Sequence, residues 1–153
     1  MKEAIEGATD IVFTLGNIFY LTVDGKNVIG HLDTQKRAQL NEQTLDGTQA
    51  CIEEGLRLLH EHSSARIYVT VSPVPISRNR GARYGSAMEA DCASKCQLRT
   101  ALSRVKGKFT YLPLFEVFKW LAPHQSFPTF GADDGNSRHI AQDQIRVVME
   151  ALT

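Results

Sequence analysis

Apolar positions along the chain fall into short β-branched runs separated by longer stretches of mixed polarity. Arg66-Ile67-Tyr68-Val69-Thr70-Val71 is nearly all apolar and is ended sharply by Ser72-Pro73-Val74-Pro75. A run of this length without polar alternation reads as a strand buried on both faces, and the remaining elements are expected to be arranged around it. Asp10 to Leu15 is a second such run, closed by Gly16, and Phe109 to Leu112 is a third, stopping before Pro113. Ile18 to Val23 and Asn27 to Gly30 flank Asp24-Gly25, which predicts a hairpin set apart from the centre of the sheet. The polar residues from Asp33 to Gln43 predict a connection.

Between these runs the pattern changes to helical spacing. A helix is predicted from about Leu45 to His62, with Ala50, Cys51, Glu54, Leu58 and Leu59 as its stripe. Ser86-Ala87-Met88-Glu89 reads as a capping box opening a helix that reaches Val105 and stops at Gly107. Leu114 to Trp120 is aromatic and apolar, predicting helix or mixed structure against the core. Pro123 to Asn136 is an irregular loop, and Ser137 is expected to cap a last helix with Ile140, Ile145, Val148 and Leu152 as its stripe. Strand, hairpin, helix, strand, helix, strand, helix is the order of a parallel three-layer α/β sheet. No linker or repeat divides residues 1–153, so a single domain is expected.

Composition narrows the partners. Lys+Arg and Asp+Glu both number 17 and the formal net charge is zero, which removes a generic electrostatic case for nucleic acid or an anionic membrane. No run is long enough to span a bilayer, and the charged amino terminus lacks the apolar core of a secretion signal. Three cysteines, Cys51, Cys92 and Cys96, are too few for a disulfide scaffold and predict reduced thiols in a cytoplasmic protein. No cofactor and no metal are expected.

Several residues are candidates for chemistry. His139, close to Asp133, Asp134 and Asn136, can be a general base oriented by a carboxylate; the plainer reading is a surface histidine at a helix start. Gly16 and Asn17, leaving a buried strand, can present donors to an oxyanion, or simply make the turn that Gly-Asn favours. Ser72 leaves the central strand at its carboxyl end and can line a pocket, but its proline-rich setting favours a local backbone bond over a nucleophile. Arg78, Arg80 and Arg83 can hold an anionic group at the pocket mouth, against the plainer reading of a solvated loop. Cys92 and Cys96, spaced i,i+4 on the helix, read as small fillers on a buried face. Lys95 and Arg99 serve packing or line the pocket.

Thr14-Leu15-Gly16, Thr70-Val71-Ser72-Pro73-Val74-Pro75, Ser94-Lys95 with Leu98-Arg99, Tyr111-Leu112-Pro113-Leu114-Phe115-Glu116, and an Asp/Gly-rich loop ending in His139 occur in one order. That order resembles the GSCFA domain family, a branch of the SGNH hydrolase superfamily, over roughly Asp10 to His139. The resemblance implies a flavodoxin-like α/β/α sandwich that hydrolyses or transfers an acyl ester, carbohydrate-linked esters included. It implies His139 as base, Asp134 or Asp133 as its orienter, and Gly16 and Asn17 near the oxyanion.

The sequence departs from that family at two places. The name-giving Gly-Ser-Cys-Phe-Ala motif precedes the segment that corresponds to Asp10, and no such motif stands here. The expectation is an N-terminally truncated sheet, with the nucleophile supplied from elsewhere. An acidic residue three before the histidine is usual, but position 136 is Asn; either Asp134 still reaches His139 or the pair is lost. The alternative function is a non-catalytic interaction or oligomerising module whose partner is a second copy or a complementing chain.

Overall fold

The computed structural model describes residues 2–28, 38–76, 83–124 and 126–152. Its elements are helix α1 (Lys2–Glu6), strands β1 (Asp10–Leu15), β2 (Phe19–Val23), β3 (Lys26–Val28) and β4 (Gln39–Glu42), helix α2 (Leu45–His62), strand β5 (Arg66–Val71), helix α3 (Ala87–Arg104), strand β6 (Thr110–Tyr111), helix α4 (Leu114–Glu116) and helix α5 (Gln142–Leu152). A π-helical turn, Val117–Leu121, and a 3₁₀ turn, Ala122–His124, continue α4.

The main sheet is parallel, in the order β1-β5-β6. Its central strand is the apolar run of residues 66–71, and Val69 and Val71 are completely buried. Leu15, Ile67, Val69 and Val71 pack against Ile52 and Leu56 of α2 and Leu98, Ala101 and Leu102 of α3, forming the core. Helices flank this sheet, as in a three-layer α/β/α arrangement. The opposite face is closed at Thr70, 1% exposed, but open at Val12, 50% exposed.

The hairpin at Asp24-Gly25 forms, with φ of 49° and 74° at the two turn residues, the left-handed values that a tight antiparallel turn needs. It belongs to a second sheet, β3-β2-β4, apart from the main one. The predicted polar connection therefore needs correcting. Gln39–Glu42 is a strand paired antiparallel with β2, which supplies the ladder partners for its backbone. The start of that connection, and Ile29 and Gly30 of the second hairpin arm, lie outside the described residues.

Helix faces also differ from the predicted stripes. In α2 the buried positions are Thr48, Ile52 and Leu56, with Leu45 and Leu59 partly buried, whereas Cys51 and Leu58 are exposed. The two large aliphatics at i,i+4 set the face, and a stripe drawn through Ala50 and Glu54 is rotated away from it. Cys92 and Cys96 are exposed rather than buried fillers, because the inner face of α3 is Ala90, Asp91, Ser94, Lys95, Leu98, Ala101 and Leu102. In α5 the buried residue is Gln144, following buried Ala141, while Ile145 is 43% exposed.

Ser86 caps α3 as expected, its side chain accepting from the Glu89 N–H at 3.1 Å. The Glu89 carboxylate reaches back to the Gly85 N–H at 2.7 Å. Ser137 does not cap the last helix; α5 starts at Gln142, whose N–H donates to the Asp133 carboxylate at 2.7 Å. Ser86→Ala and Asp133→Ala should each cost about 1 kcal/mol in urea unfolding, while Ser137→Ala should be close to neutral.

Candidate functional site

The strands of the parallel sheet all end on one side, and α3 is built to hold the chain that leaves them. The buried face of its carboxyl-terminal half, Leu98, Ala101 and Leu102, enters the core; its amino-terminal half turns three polar side chains inward. Asp91 Oδ1 accepts from the Ile76 N–H at 3.0 Å, beyond β5. Ser94 Oγ, fully buried, accepts from the Ile18 N–H at 3.1 Å, beyond β1. Lys95, 1% exposed, donates from Nζ to the Gly16 carbonyl at 2.5 Å. Burial pushes the Lys95 amine down to about 8, opposed by attraction to Asp91 and assisted by repulsion from Lys119.

Asn17 is exposed, and its Oδ1 accepts from the Phe19 N–H at 2.9 Å, so its side chain does make the local turn. Gly16 has open space where a Cβ would stand. Both line a cavity of about 310 Å³ beside β1, with Phe13, Phe19, Ile52 and Leu98 among its apolar walls. A larger cavity of about 480 Å³ lies at the opposite end of the sheet, lined by His60, Arg66, Tyr68 and Lys108 among others. The Ser72 hydroxyl accepts from the Val74 N–H at 3.3 Å, the local backbone bond that the proline-rich turn predicts.

The histidine sits in a closed loop. Phe130 and Ile140 form an antiparallel bridge at its base, with Gly131 N–H donating to the His139 carbonyl and Ala141 N–H to the Thr129 carbonyl, each at 2.9 Å. Gly131 and Gly135 take φ of 74° and 71°, which folds the intervening chain back on itself. Asp134 then lies beside the ring: Oδ2 is 2.6 Å from His139 Nδ1. The remaining oxygen, Oδ1, accepts from the Asn136 N–H at 2.9 Å. That backbone bond, followed by the histidine, holds the Asp134 carboxyl below its ordinary value.

With Nδ1–H directed to the carboxylate, Nε2 is the acceptor nitrogen of the ring. It faces Asn136 Nδ2 at 3.2 Å. Asp134 therefore reaches His139 across the Asn at position 136, while Asp133 is turned to the start of α5 instead. His139 precedes α5 rather than opening it. Arg138 ties the loop to the exit of β5, donating from Nε to the Pro75 carbonyl at 3.0 Å.

Arg83 is engaged at 2.6 Å with Glu42 of β4, with its guanidinium over the Tyr84 ring. Arg78 and Arg80 lie outside the described residues. Arg99 bonds Glu116 at 3.0 Å and stacks over Tyr111, whose hydroxyl also donates to Glu116. Burial raises the Tyr111 phenol above its usual range. Among the described residues, no cluster of three or more His, Cys, Asp and Glu side chains is placed to hold a metal, and no helix is long and apolar enough to cross a membrane.

The family model of the GSCFA family matches residues 1–152. The chain belongs to the GSCFA family. No curated protein and no solved structure matches it. In this GSCFA-family chain the Ser94-Lys95 pair holds the loop that follows β1, and the Tyr111 and Glu116 side chains bind one another and Arg99.

Spacing along the chain does not reveal the partners of Asp91, Ser94 and Lys95. A lysine in the middle of a buried stripe at helical spacing was the signal that could have found them. Two pH effects follow. Unfolded chains hold the Lys95 proton up to 10.5 and the folded chain only to about 8. Stability of wild type relative to Lys95→Met should therefore rise with pH between those values, because the unfolded state binds more protons there. Asp134 is depressed below 3.8. Its contribution should be present above that pH and fade as pH falls through its folded value, so the gap between wild type and Asp134→Asn should close in acid urea titrations.

Proposed function

We propose that this chain is the base-bearing part of an SGNH-type ester hydrolase or acyltransferase, acting on an acyl ester, carbohydrate-linked esters included. The observation that carries this reading is the His139–Asp134 pair: a carboxylate on Nδ1 fixes the tautomer and makes Nε2 the nitrogen that takes a proton from an attacking hydroxyl, once that hydroxyl displaces the Asn136 amide that faces it. Family membership supports it. So does the position of Gly16 and Asn17, at the carboxyl ends of the strands where open α/β sheets bind ligands. This reading takes the attacking hydroxyl from a Gly-Ser-Cys-Phe-Ala-like peptide, which residues 1–153 do not contain. The apolar cavity beside β1 suits an acyl chain.

A second reading is favoured by one observation. β1 pairs only with β5 among the described residues. Arg66 N–H donates to the Thr9 carbonyl and Ser72 N–H to the Leu15 carbonyl, so odd-numbered residues face β5. The backbone groups of Asp10, Val12 and Thr14 are left on the free edge. A six-residue edge strand without Pro or Lys invites an added strand, so the chain would serve as a non-catalytic module pairing with a second copy.

Hydrolysis of p-nitrophenyl acetate, measured with and without a peptide carrying the Gly-Ser-Cys-Phe-Ala motif, separates the two. Peptide-dependent turnover is expected, abolished by His139→Ala and lowered about 10²- to 10⁴-fold by Asp134→Asn. Turnover that survives His139→Ala sinks the first reading. An inactive species eluting as a dimer, and dispersed by Val12→Lys, supports the second.

A further inference from the structure

Three consecutive backbone amides follow Gly16, and the structure disposes of two of them. Ile18 N–H is taken by Ser94 Oγ, and Phe19 N–H by Asn17 Oδ1. Asn17 N–H has no acceptor among the described residues. Its direction follows from the peptide plane it shares with the Gly16 carbonyl. In a trans peptide the C=O and N–H point opposite ways. The Gly16 carbonyl points inward, to the buried ammonium of Lys95. The Asn17 N–H accordingly points away from Lys95, and both residues of this peptide line the cavity beside β1.

A fully buried lysine is uncommon and costly, since burial penalises its charge. Here the ammonium is spent on one carbonyl, with Asp91 on its own helix and Lys119 of the π-helical turn as the charged groups that face it. A cation on the oxygen end of a peptide draws electron density from the nitrogen end and strengthens the N–H as a donor. The approach is open on the side of Gly16 where a Cβ would stand, with nothing but its chain neighbours within 4 Å of that position.

We propose that Lys95 is a positioning residue that turns and polarises the Gly16–Asn17 peptide, making Asn17 N–H the donor for a tetrahedral oxyanion. The proposal deepens the ester-transfer reading and rests on it for the class of ligand. It assigns the oxyanion donor to the backbone of Asn17 rather than to its side chain, whose oxygen is already committed to Phe19. It also gives the buried charge a purpose that packing alone does not supply.

The test needs no turnover. The Asn17 amide resonance of the wild-type chain, followed by ¹⁵N-edited NMR, should titrate with a midpoint near the Lys95 value of about 8. Phenylphosphonate, a tetrahedral oxyanion with an apolar body, should shift that amide at pH 7. Lys95→Met should abolish the titration and weaken phenylphosphonate binding about tenfold or more, the worth of one hydrogen bond to a charged group. An Asn17 amide that does not move through pH 8, or that ignores phenylphosphonate, overturns the proposal; so does unchanged affinity in Lys95→Met. Should that variant fail to fold, the two wild-type measurements decide alone. Failure of the ester reading is separate: spectra as expected, without ester turnover in the peptide-complemented assay, remove that reading and leave the role of Lys95 standing.

Discussion

Helix α3 is joined to the ends of two strands by three side chains from its buried face, and the rest of the molecule depends on that attachment. Leaving a parallel strand, a chain exposes backbone groups that the ladder no longer satisfies. Asp91 and Ser94 accept from such amides beyond β5 and β1, and Lys95 donates to the carbonyl of Gly16. Because these bonds run from the same face that buries Leu98 and Leu102 in the core, the exit of β1 is fixed relative to the sheet itself. Loss of any one of them leaves a buried polar group without its partner, a larger penalty than the net worth of the bond.

The second fixed point is the loop between Phe130 and Ile140. It works by short-range geometry: two glycines with positive φ, a bridge at the base, and an Asp134 that caps its own turn while it holds His139. Arg138 joins this loop to Pro75, just past the central strand. Both fixed points therefore belong to the carboxyl side of the parallel sheet. Lys119 lies with its ammonium over the Phe130 ring and is also felt by Lys95, which brings the two regions into one electrostatic neighbourhood.

The sheet is asymmetric about its central strand. β6 contributes only Thr110–Tyr111 to the ladder, whereas the outer edge of β1, beside an apolar cavity, is unpaired among the described residues. The face of β1 carrying Asp10, Val12 and Thr14 is exposed, in contrast to the buried face of β5. An exposed edge of this length is a site for strand addition, which is why both functional readings turn on what lies along it.

The amino-acid sequence by itself determined the three parallel strands, the Asp-Gly hairpin, the Ser86 cap and the helices from Leu45 and from Ala87, because each rests on local signals: β-branched runs, turn chemistry, capping residues. Membership in the GSCFA family was legible too, in motifs spread along the chain. Tertiary structure decided the rest. Which face of α2 is buried depended on where β1 and β5 lie: Thr48, Ile52 and Leu56 turn inward, not Ala50, Cys51 and Glu54. Gln39–Glu42 became a strand only because β2 offered it a ladder. Asp134 was chosen over Asp133 as the partner of His139 by the positive-φ glycines of the loop, a backbone path that spacing does not reveal. Lys95 stands out in the sequence only as a lysine within a helical stripe, serving packing or a pocket; what it holds is decided by the fold, which places a carbonyl, 79 residues away in the chain, against its ammonium. Contacts of such separation are written in no local pattern, and only packing creates them.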